Sequence, residues 1–470
     1  MVALTTRPAA PARTAAPARQ WIALASVLLA TFMGLLDAGI VTVAVPSIQQ
    51  SLGASFGEVQ SVMAGYTLAY AVGLVTGGRL GDLFGRRRTF LVGVLLFVLT
   101  SVACAAAPTA PVLIAARVLQ GLAAAVMLPQ VLSVIQSSFA GPERSSALGF
   151  YGATIGLASI AGQIVGGALL AWNPLGLGWR SAFLVNLPIG LLAILVARVT
   201  VAESRGPRSR LDLAGAAVLG VALVGLLLPS ALGWPMWAWP ILLAGGGLLV
   251  GFGFLERGKP TALVPMRLLA RPAIVRGLST VLAFYAGNAG FFLLLAYHLQ
   301  AGLHQSALAS GLIFAPLGVG FAVSSLAGKR FGALVTGTAL MTAGLAAVIF
   351  IVTAVPASAQ VSWLLPALAL SGVGEGLVAA PLIGRILAGV DPADSGAASG
   401  ILLTATQVAN AGGVALIGGL FAAMLGATPG TPGTGFAHYA HATGITAAAV
   451  LVLAVVTGAL ARPLGRSTSH

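Results

Sequence analysis

Three ionisable residues, Asp37, Arg117 and Glu375, interrupt long apolar stretches of the sequence. A charged side chain at the centre of a bilayer costs about 2.5–3.5 kcal/mol, so such a residue indicates a functional site by default. Desolvation disfavours the charged form of a carboxyl, and Asp37 is therefore expected to bind and release a proton. Arg117 stays charged and can tune a neighbouring acid. The alternative for both residues is structural, as a buried pair or as an anchor between helices.

Glu375 lies between glycines in the segment Gly372–Gly376. Glycines allow neighbouring helices to approach closely. This pattern favours a second proton site or a counter-charge for a cationic substrate, and the alternative is a protonated acid that hydrogen-bonds another helix. Uncharged polar residues that could line the same cavity, or equally bond between helices, are Tyr66, Tyr70, Gln120, Gln163, Asn288, Gln407 and Asn410.

The segment Gly78–Arg88 (G-R-L-G-D-L-F-G-R-R-R) combines spaced glycines, one acid and a basic cluster. Its glycines predict a tight loop, and Asp82 can cap the N-terminus of a neighbouring helix, where the positive end of the dipole favours an anion. A purely topogenic cluster would explain the arginines but not the spaced glycines and the acid. The residues assigned to this gating motif are Gly78, Gly81, Asp82, Gly85, Arg86 and Arg87.

The elements that must position these residues are membrane-spanning helices. The 470 residues are 58% hydrophobic and only 7% charged, whereas soluble proteins have about 25% charged residues. This composition excludes a soluble enzyme, a nucleic-acid-binding protein and a disordered scaffold. A spanning helix needs about 20 mostly apolar residues. The sequence divides into fourteen such runs: 21–45, 57–78, 89–107, 110–136, 146–171, 182–200, 211–229, 236–256, 273–300, 306–328, 331–354, 362–384, 395–427 and 438–461.

The basic residues predict the orientation of these spans. With a cytoplasmic N-terminus, all of the 24 Lys and Arg except Arg117 and Arg180 fall on the inside, as the positive-inside rule requires. The net charge of +14 therefore reflects topology and anionic lipid headgroups rather than nucleic acid. Cys104 is the single cysteine, so no intramolecular disulfide is expected. The sequence has no metal-ligand spacing or phosphate-binding loop, so no cofactor is expected. Without a phosphate-binding loop, ATP is not the direct energy source, which leaves an ion gradient or passive flow.

Loop lengths predict the domain organisation. The predicted parts are a disordered cytoplasmic tail over 1–20, an N-terminal six-helix half over 21–200, a linker with a two-helix hairpin over 201–272, a C-terminal six-helix half over 273–462 and a cytoplasmic tail over 463–470. A weak repeat supports two halves, because Gly81–Gly85 corresponds to Gly328–Gly332. Two such halves place a substrate cavity between them near the midplane. Gly162, Gly166 and Gly167 predict a face for close helix packing.

Together these motifs resemble the major facilitator superfamily, specifically its fourteen-span drug:proton antiporters of multidrug and antibiotic efflux type. Leu36–Pro46 is similar to the first-span signature L-D-x-T-I-V-N-V-A-L-P, and Gly78–Arg88 looks like the superfamily's loop 2–3 motif. Arg117–Gly121 matches R-x-x-Q-G, Gly162–Gly167 resembles G-P-x-x-G-G, and Trp179–Gly190 is similar to W-R-W-I-F-x-I-N-x-P-I-G. The resemblance covers the whole chain and implies an all-α polytopic fold of two six-helix halves plus an inserted hairpin.

The resemblance also implies roles for individual residues. It implies proton coupling through Asp37 and Arg117, gating through Asp82, and helix packing through the glycines of the fifth span. The chain departs from the family pattern at Gln163, which replaces the motif proline, and at Gln60–Val62, where the second-span tryptophan is replaced. In the first-span signature, the threonine and asparagine of the family are Gly39 and Thr42 here.

The leading functional hypothesis is secondary active export of a lipophilic, cationic small molecule, such as a drug or antibiotic, in exchange for protons. The carrier is expected to be a monomer in the bacterial inner membrane with both termini cytoplasmic. Its expected partners are the substrate, protons and the lipid bilayer, with no nucleic acid. One alternative is a proton-coupled carrier of a single metabolite, and another is a membrane sensor or scaffold that binds a ligand without moving it.

Overall fold

The computed structural model describes residues 18–54, 56–206, 212–231, 239–257, 259, 266–327, 333–388, 390–391, 394–425 and 436–466. These residues are almost entirely helical. The helices are α1 (Ala18–Leu52), α2 (Phe56–Phe84), α3 (Arg86–Ala106), α4 (Ala110–Ser138), α5 (Gly141–Trp172), α6 (Ser181–Leu184), α7 (Asn186–Thr200), α8 (Leu213–Ala231), α9 (Trp239–Glu256), α10 (Met266–Leu269), α11 (Pro272–Tyr297), α12 (Ala307–Ala327), α13 (Ala333–Ala354), α14 (Ala357–Ala388), α15 (Ser395–Leu425) and α16 (Phe436–Arg466). Two 3-10 turns, Pro174–Gly176 and Gly178–Arg180, and a π-helical turn at His298–Gly302 complete the description.

Long apolar helices are the expected result of this composition, because a helix satisfies its backbone hydrogen bonds internally where lipid offers no partners. Within the described residues, 11 helices are long and apolar enough to cross a membrane. The apolar stretches Ala214–Leu226 in α8 and Leu416–Leu425 in α15 are shorter. The molecule is thus an all-helical membrane protein, and the number of fourteen spans stays a prediction.

The helices form two halves with the same packing pattern. In the N-terminal half (α1–α5 and α7), α1 packs on α5 and α7, α2 packs on α4, and α3 packs on α4 and α7. In the C-terminal half (α11–α16), α11 packs on α15 and α16, α12 packs on α14, and α13 packs on α14 and α16. Each of these contacts in one half has its counterpart in the other, which is the arrangement expected of an internal structural repeat.

The two halves meet along two seams, α5 with α12 and α2 with α15. Glycines bring the α5–α12 seam together: a Cβ atom on Gly156 would lie 3.0 Å from the carbonyl oxygen of Gly318. We call the end of the bundle that carries Arg86–Arg88 the basic end. There Gln136 of α4 donates a hydrogen bond of 2.9 Å to the carbonyl oxygen of Leu387 of α14. The halves are therefore in direct contact at the basic end.

The inserted hairpin, α8 and α9, lies against one of these seams. The two helices cross closely, because a Cβ atom on Gly225 would lie 2.8 Å from the Cα atom of Gly245. Helix α8 packs on α2 of one half and on α15 of the other. Leu219 and Leu223 of α8 share a buried cluster with Val75 of α2.

The structure corrects the predicted loop at Gly78–Arg88. Helix α2 continues to Phe84 and α3 begins at Arg86, so the first glycines of the motif and Asp82 are helical. Gly85 alone connects the two helices, at a φ of 105°, which is a conformation that glycine adopts without steric cost. The corresponding segment of the predicted repeat, Gly328–Gly332, lies outside the described residues.

Candidate functional site

Asp37 is fully buried on α1, with 0% of its surface exposed, and is paired with Arg117 of α4. Arg117 Nη1 lies 2.6 Å from Asp37 Oδ2. The other carboxylate oxygen, Oδ1, accepts hydrogen bonds from Gln120 Nε2 at 3.0 Å and from Asn186 Nδ2 at 2.7 Å. Both amides also donate to Ser101 Oγ, at 2.7 and 3.2 Å. Helices α4 and α7 thus bond the Asp37 carboxylate directly, and Ser101 of α3 bonds the two amides. We call these five residues the Asp37 network.

The guanidinium of Arg117 is held on its other sides as well. Its central carbon lies 4.2 Å from the ring centroid of Tyr66 and 5.8 Å from that of Phe183. Arg117 Nε donates to the carbonyl oxygen of Val62 at 3.4 Å. A cation stacked on an aromatic face and paired with a carboxylate is compensated without water. The pairing anticipated for Asp37 and Arg117 is therefore present in this conformation.

Glu375 of α14 is also buried, with 3% of its surface exposed, but its surroundings differ. Its Oε2 accepts a hydrogen bond of 2.6 Å from Asn288 Nδ2 of α11. Among the described residues, no Lys, Arg or His forms an ion pair with it. The structure thus brings together two of the residues selected from the sequence, Asn288 and Glu375, in a site without a counter-charge.

Glu375 and Asn288 line a cavity of about 70 Å³ between the two halves. Its walls come from α5 of the N-terminal half and from α11, α12 and α14 of the C-terminal half. The lining residues are Ile155, Gly156, Ile160, Phe284, Tyr285, Asn288, Phe292, Gly311, Phe314, Leu317, Gly318, Phe321 and Glu375. The cavity is mostly aromatic and apolar, with one acid and one amide, which is the usual composition of a small-molecule site.

The remaining cavity candidates are placed elsewhere. Gln120 belongs to the Asp37 network, and Tyr66 and Tyr70 are buried on α2 with ring centroids 6.1 Å apart. Gln407 and Asn410 are half-buried on α15 and do not line the Glu375 cavity. The side chain of Gln163 lies outside the described part of the molecule. Their predicted contacts with substrate stay predictions.

The gating motif joins three segments at the basic end. Arg86 Nη2 donates to Asp82 Oδ1 at 3.1 Å, and the backbone N–H of Ala397, in the first turn of α15, faces the same carboxylate. Glu203, which follows α7, accepts a hydrogen bond of 3.1 Å from the backbone N–H of Arg87. Asp82 therefore lies where a helix of the N-terminal half meets the start of a helix of the C-terminal half.

The glycines predicted for helix packing face two different helices. A Cβ atom on Gly162 would lie 2.8 Å from the Cα atom of Gly39, and one on Gly166 would lie 3.1 Å from that of Ile40, so both glycines permit close packing of α5 on α1. Gly167 instead faces Leu308 of α12, at 3.4 Å. Packing within one half and packing between halves therefore use neighbouring glycines of the same helix.

Sequence reasoning missed three residues of these sites: Ser101, Asn186 and Glu203. Asn186 lies in the Trp179–Gly190 segment, but an asparagine in such a segment does not reveal its partner. Ser101 carries no signal of its own, because serines are frequent in spanning helices and are accommodated there at low cost. Glu203 lies just outside the spans, where an acid is unremarkable.

Comparison with curated proteins finds antibiotic transporters and resistance proteins. The chain is 39% identical over 426 residues to the "Probable actinorhodin transporter" of Streptomyces coelicolor, covering 87% of this chain and 74% of that protein. It is 37% identical to the "Puromycin resistance protein pur8" of Streptomyces alboniger, covering 85% and 81%. It is 35% identical to the "Cephamycin export protein CmcT" of Amycolatopsis lactamdurans, covering 97% and 96%.

Solved structures share the fold at low sequence identity. The human organic anion transporter MFSD10 superposes with a TM-score of 0.68 at 15% identity, covering 94% of this chain and 99% of that one. The proton:xylose symporter XylE superposes with a TM-score of 0.64 at 14% identity, covering 93% and 95%. The model of the Major Facilitator Superfamily matches residues 27–414. The chain therefore belongs to the Major Facilitator Superfamily and is a membrane transporter rather than an enzyme.

Proposed function

We propose that the protein exports a lipophilic, cationic small molecule of drug or antibiotic type across the bacterial plasma membrane in exchange for protons. The names of the curated relatives support the substrate class, and the distribution of basic residues supports a cytoplasmic basic end and cytoplasmic termini. The carrier works as a monomer, uses no cofactor and draws on the proton gradient. Its substrate enters from the cytoplasmic side or from the inner leaflet and leaves on the other side.

The observation that carries this proposal is the position of Glu375 in the cavity between the halves. A buried carboxyl without a cation nearby is stable only when it binds a proton or a cationic ligand. Both would occupy the same group, so loading of one displaces the other. That competition is the minimum requirement for exchange of a proton against a cation.

The Asp37 network has a different part in this proposal. It lies wholly within the N-terminal half, and Arg117 compensates Asp37 in the present conformation. Protonation of Asp37 would release Arg117, and the freed cation would change how α1, α2 and α4 pack. Coupling through Asp37 and Arg117 is then a change of helix packing, whereas Glu375 meets the substrate directly.

The gating motif sets which end is open. Asp82 lies next to Arg86 and the start of α15, and these contacts hold the halves together at the basic end. Opening of that end requires Asp82 to leave the N-terminus of α15. Neutralising Asp82 should therefore bias the protein away from the conformation described here.

The test is ethidium transport in proteoliposomes with an imposed proton gradient. The wild type should accumulate or expel ethidium according to the direction of the gradient, and a protonophore should abolish the effect. Glu375→Gln should reduce gradient-driven transport at least tenfold, because an amide cannot exchange a proton. Glu143→Gln, at the start of α5 and outside the cavity, is the matched control and should transport normally. Wild-type transport that ignores the gradient would refute proton exchange.

A further inference from the structure

Glu375 and Asn288 line a second, smaller cavity in addition to the one between the halves. This cavity has a volume of about 10 Å³, and its lining residues belong to α11, α13, α14 and α16 of the C-terminal half. We call it the inner cavity. The cavity between the halves is bordered by α12 and the inner cavity by α13, and α14 packs on both of these helices. The carboxyl of Glu375 therefore lies between two separate spaces.

The inner cavity combines three polar side chains, Asn288, Glu375 and Thr457, with apolar walls. Asn288 Nδ2 donates to Glu375 Oε2 at 2.6 Å. Thr457 is fully buried, and its Oγ1 donates to the carbonyl oxygen of Leu453 at 2.8 Å. A hydroxyl oxygen that donates its hydrogen still accepts through its lone pairs. A small ligand in the inner cavity would therefore meet a carboxyl, an amide and an accepting hydroxyl.

The size and polarity of the inner cavity fit one water molecule. A buried water needs about 10–15 Å³ of space and about two to four polar partners, and the three polar side chains supply these partners. A drug-sized ligand needs about 300–1,000 Å³, so the substrate does not fit there. The remaining walls include Met341, Leu345 and Val450, whose apolar side chains offer a water no competing partner.

Thr457 lies at the end of the inner cavity that points toward the basic end of the bundle. Helix α14 ends at the basic end, so α15 begins there and α16 returns to it. Of the residues of α16 that line the inner cavity, Thr457 is the closest to the C-terminus of the helix. The next hydroxyl in this direction belongs to Thr338 of α13, because a Cβ atom on Gly458 would lie 3.3 Å from Thr338 Oγ1. Polar groups therefore lead from Glu375 toward the basic end within one half.

Building on the function proposed above, we propose that the inner cavity holds one water molecule that carries the proton of Glu375 toward the basic end, while the substrate reaches the same carboxyl from the cavity between the halves. The Glu375 carboxyl gives its proton to the water oxygen, and the water passes one of its own protons on toward Thr457. A carboxylate and a neutral water remain. Thr457 is a positioning residue, because it holds the water against the carboxyl.

The two routes explain how one carboxyl can serve two ligands in turn. A substrate that enters the cavity between the halves does not obstruct the inner cavity, so the proton can leave after the substrate has arrived. With a single route, the proton would have to leave first, and the carboxylate would then be buried without a cation, which is costly.

The experiment measures hydrogen–deuterium exchange of the Glu375 carboxyl by infrared spectroscopy of the purified protein in lipid nanodiscs, without substrate or gradient. A protonated carboxyl gives a stretching band that shifts on deuteration, and Glu375→Gln identifies the band by its loss. Thr457→Val removes the hydroxyl that holds the water, and Ala454→Leu fills the inner cavity. Both variants should slow exchange at least tenfold. Both should change the Kd for ethidium less than twofold, at a pH where ethidium binding releases no proton.

Two further variants are matched controls. Thr446→Val removes another fully buried threonine hydroxyl of α16, which donates to the carbonyl oxygen of Ala442 and does not line the inner cavity. It should change neither exchange nor ethidium binding. Ile155→Phe narrows the cavity between the halves, so it should weaken ethidium binding at least fivefold and leave the exchange rate within twofold of the wild type.

Three results would overturn the inner route. Equal slowing by Thr446→Val and Thr457→Val would show an effect of packing alone. Slowing by Ile155→Phe alone would place the proton in the substrate cavity, and exchange that no variant slows would exclude the inner cavity as a route. Because exchange is measured without substrate or gradient, these results would leave the proposed function intact. Conversely, ethidium transport that ignores the gradient would refute the function and leave the exchange result standing.

Discussion

Asp37 and Glu375, the two acids that interrupt apolar stretches of the sequence, have opposite surroundings in the structure. Asp37 has a partner for each carboxylate oxygen, including a guanidinium at 2.6 Å, and all of its partners belong to the N-terminal half. Glu375 has one amide partner at 2.6 Å and faces a cavity built from both halves. Burial removes both carboxyls from water, which costs free energy. Only Asp37 is compensated for this by a cation of the protein, Arg117. The difference supports the proposal that Asp37 acts on the packing of one half, whereas Glu375 meets the substrate.

The largest expected effect is on stability, in Arg117→Met. This change leaves the Asp37 carboxylate buried without its cation, and breaking a buried pair in this way costs about 3–5 kcal/mol. Thermal unfolding in nanodiscs should show a strong loss relative to Arg198→Met, which removes an exposed arginine from the end of α7. The double variant Asp37→Leu with Arg117→Met should recover much of the loss. An Arg117→Met protein as stable as the control would contradict a structural role for the pair.

A second contrast concerns chemical access to the two sites. Cys104 is fully buried and lies 3.6 Å from Gln120 Oε1 of the Asp37 network. We expect N-ethylmaleimide to label Cys104 at least tenfold more slowly than a cysteine placed at Ile160, on the wall of the Glu375 cavity, in a Cys104→Ser background. Mass spectrometry of the intact protein measures both rates. Equal rates would mean that the Asp37 network is as open as the cavity.

The smallest expected effect is a difference in stability between variants of the two asparagines that donate hydrogen bonds to these acids, Asn186 to Asp37 and Asn288 to Glu375. Asn186→Ala removes a hydrogen bond to a paired carboxylate and should lower the free energy of unfolding by about 1.5–3 kcal/mol, whereas Asn288→Ala should lower it by about 0.5–1.5 kcal/mol. Transport should show the reverse order, with Asn288→Ala the more impaired after correction for the amount of folded protein. If Asn288→Ala destabilised the protein more than Asn186→Ala, the distinction between a structural Asp37 and a ligand-facing Glu375 would be contradicted.

The sequence predicted the fold class and singled out both acids, because apolar composition and the cost of buried charge are visible without a structure. It did not predict which acid has a cation, since Asp37 and Arg117 are 80 positions apart and each alternative was left open. Asn186 and Ser101 escaped notice because neutral polar residues cost little in a spanning helix. The loop expected at Gly78–Arg88 is one residue long, since α2 continues for more than a turn beyond its apolar run.

The inserted hairpin has a consequence for the speed of the carrier. Helix α8 contacts α2 of one half and α15 of the other, and it crosses α9 closely at Gly225 and Gly245. If the halves rock against each other, α8 must slide along at least one of them in every cycle. We expect this sliding to contribute to the barrier between access states. The hairpin would then affect the rate of turnover more than the affinity for substrate.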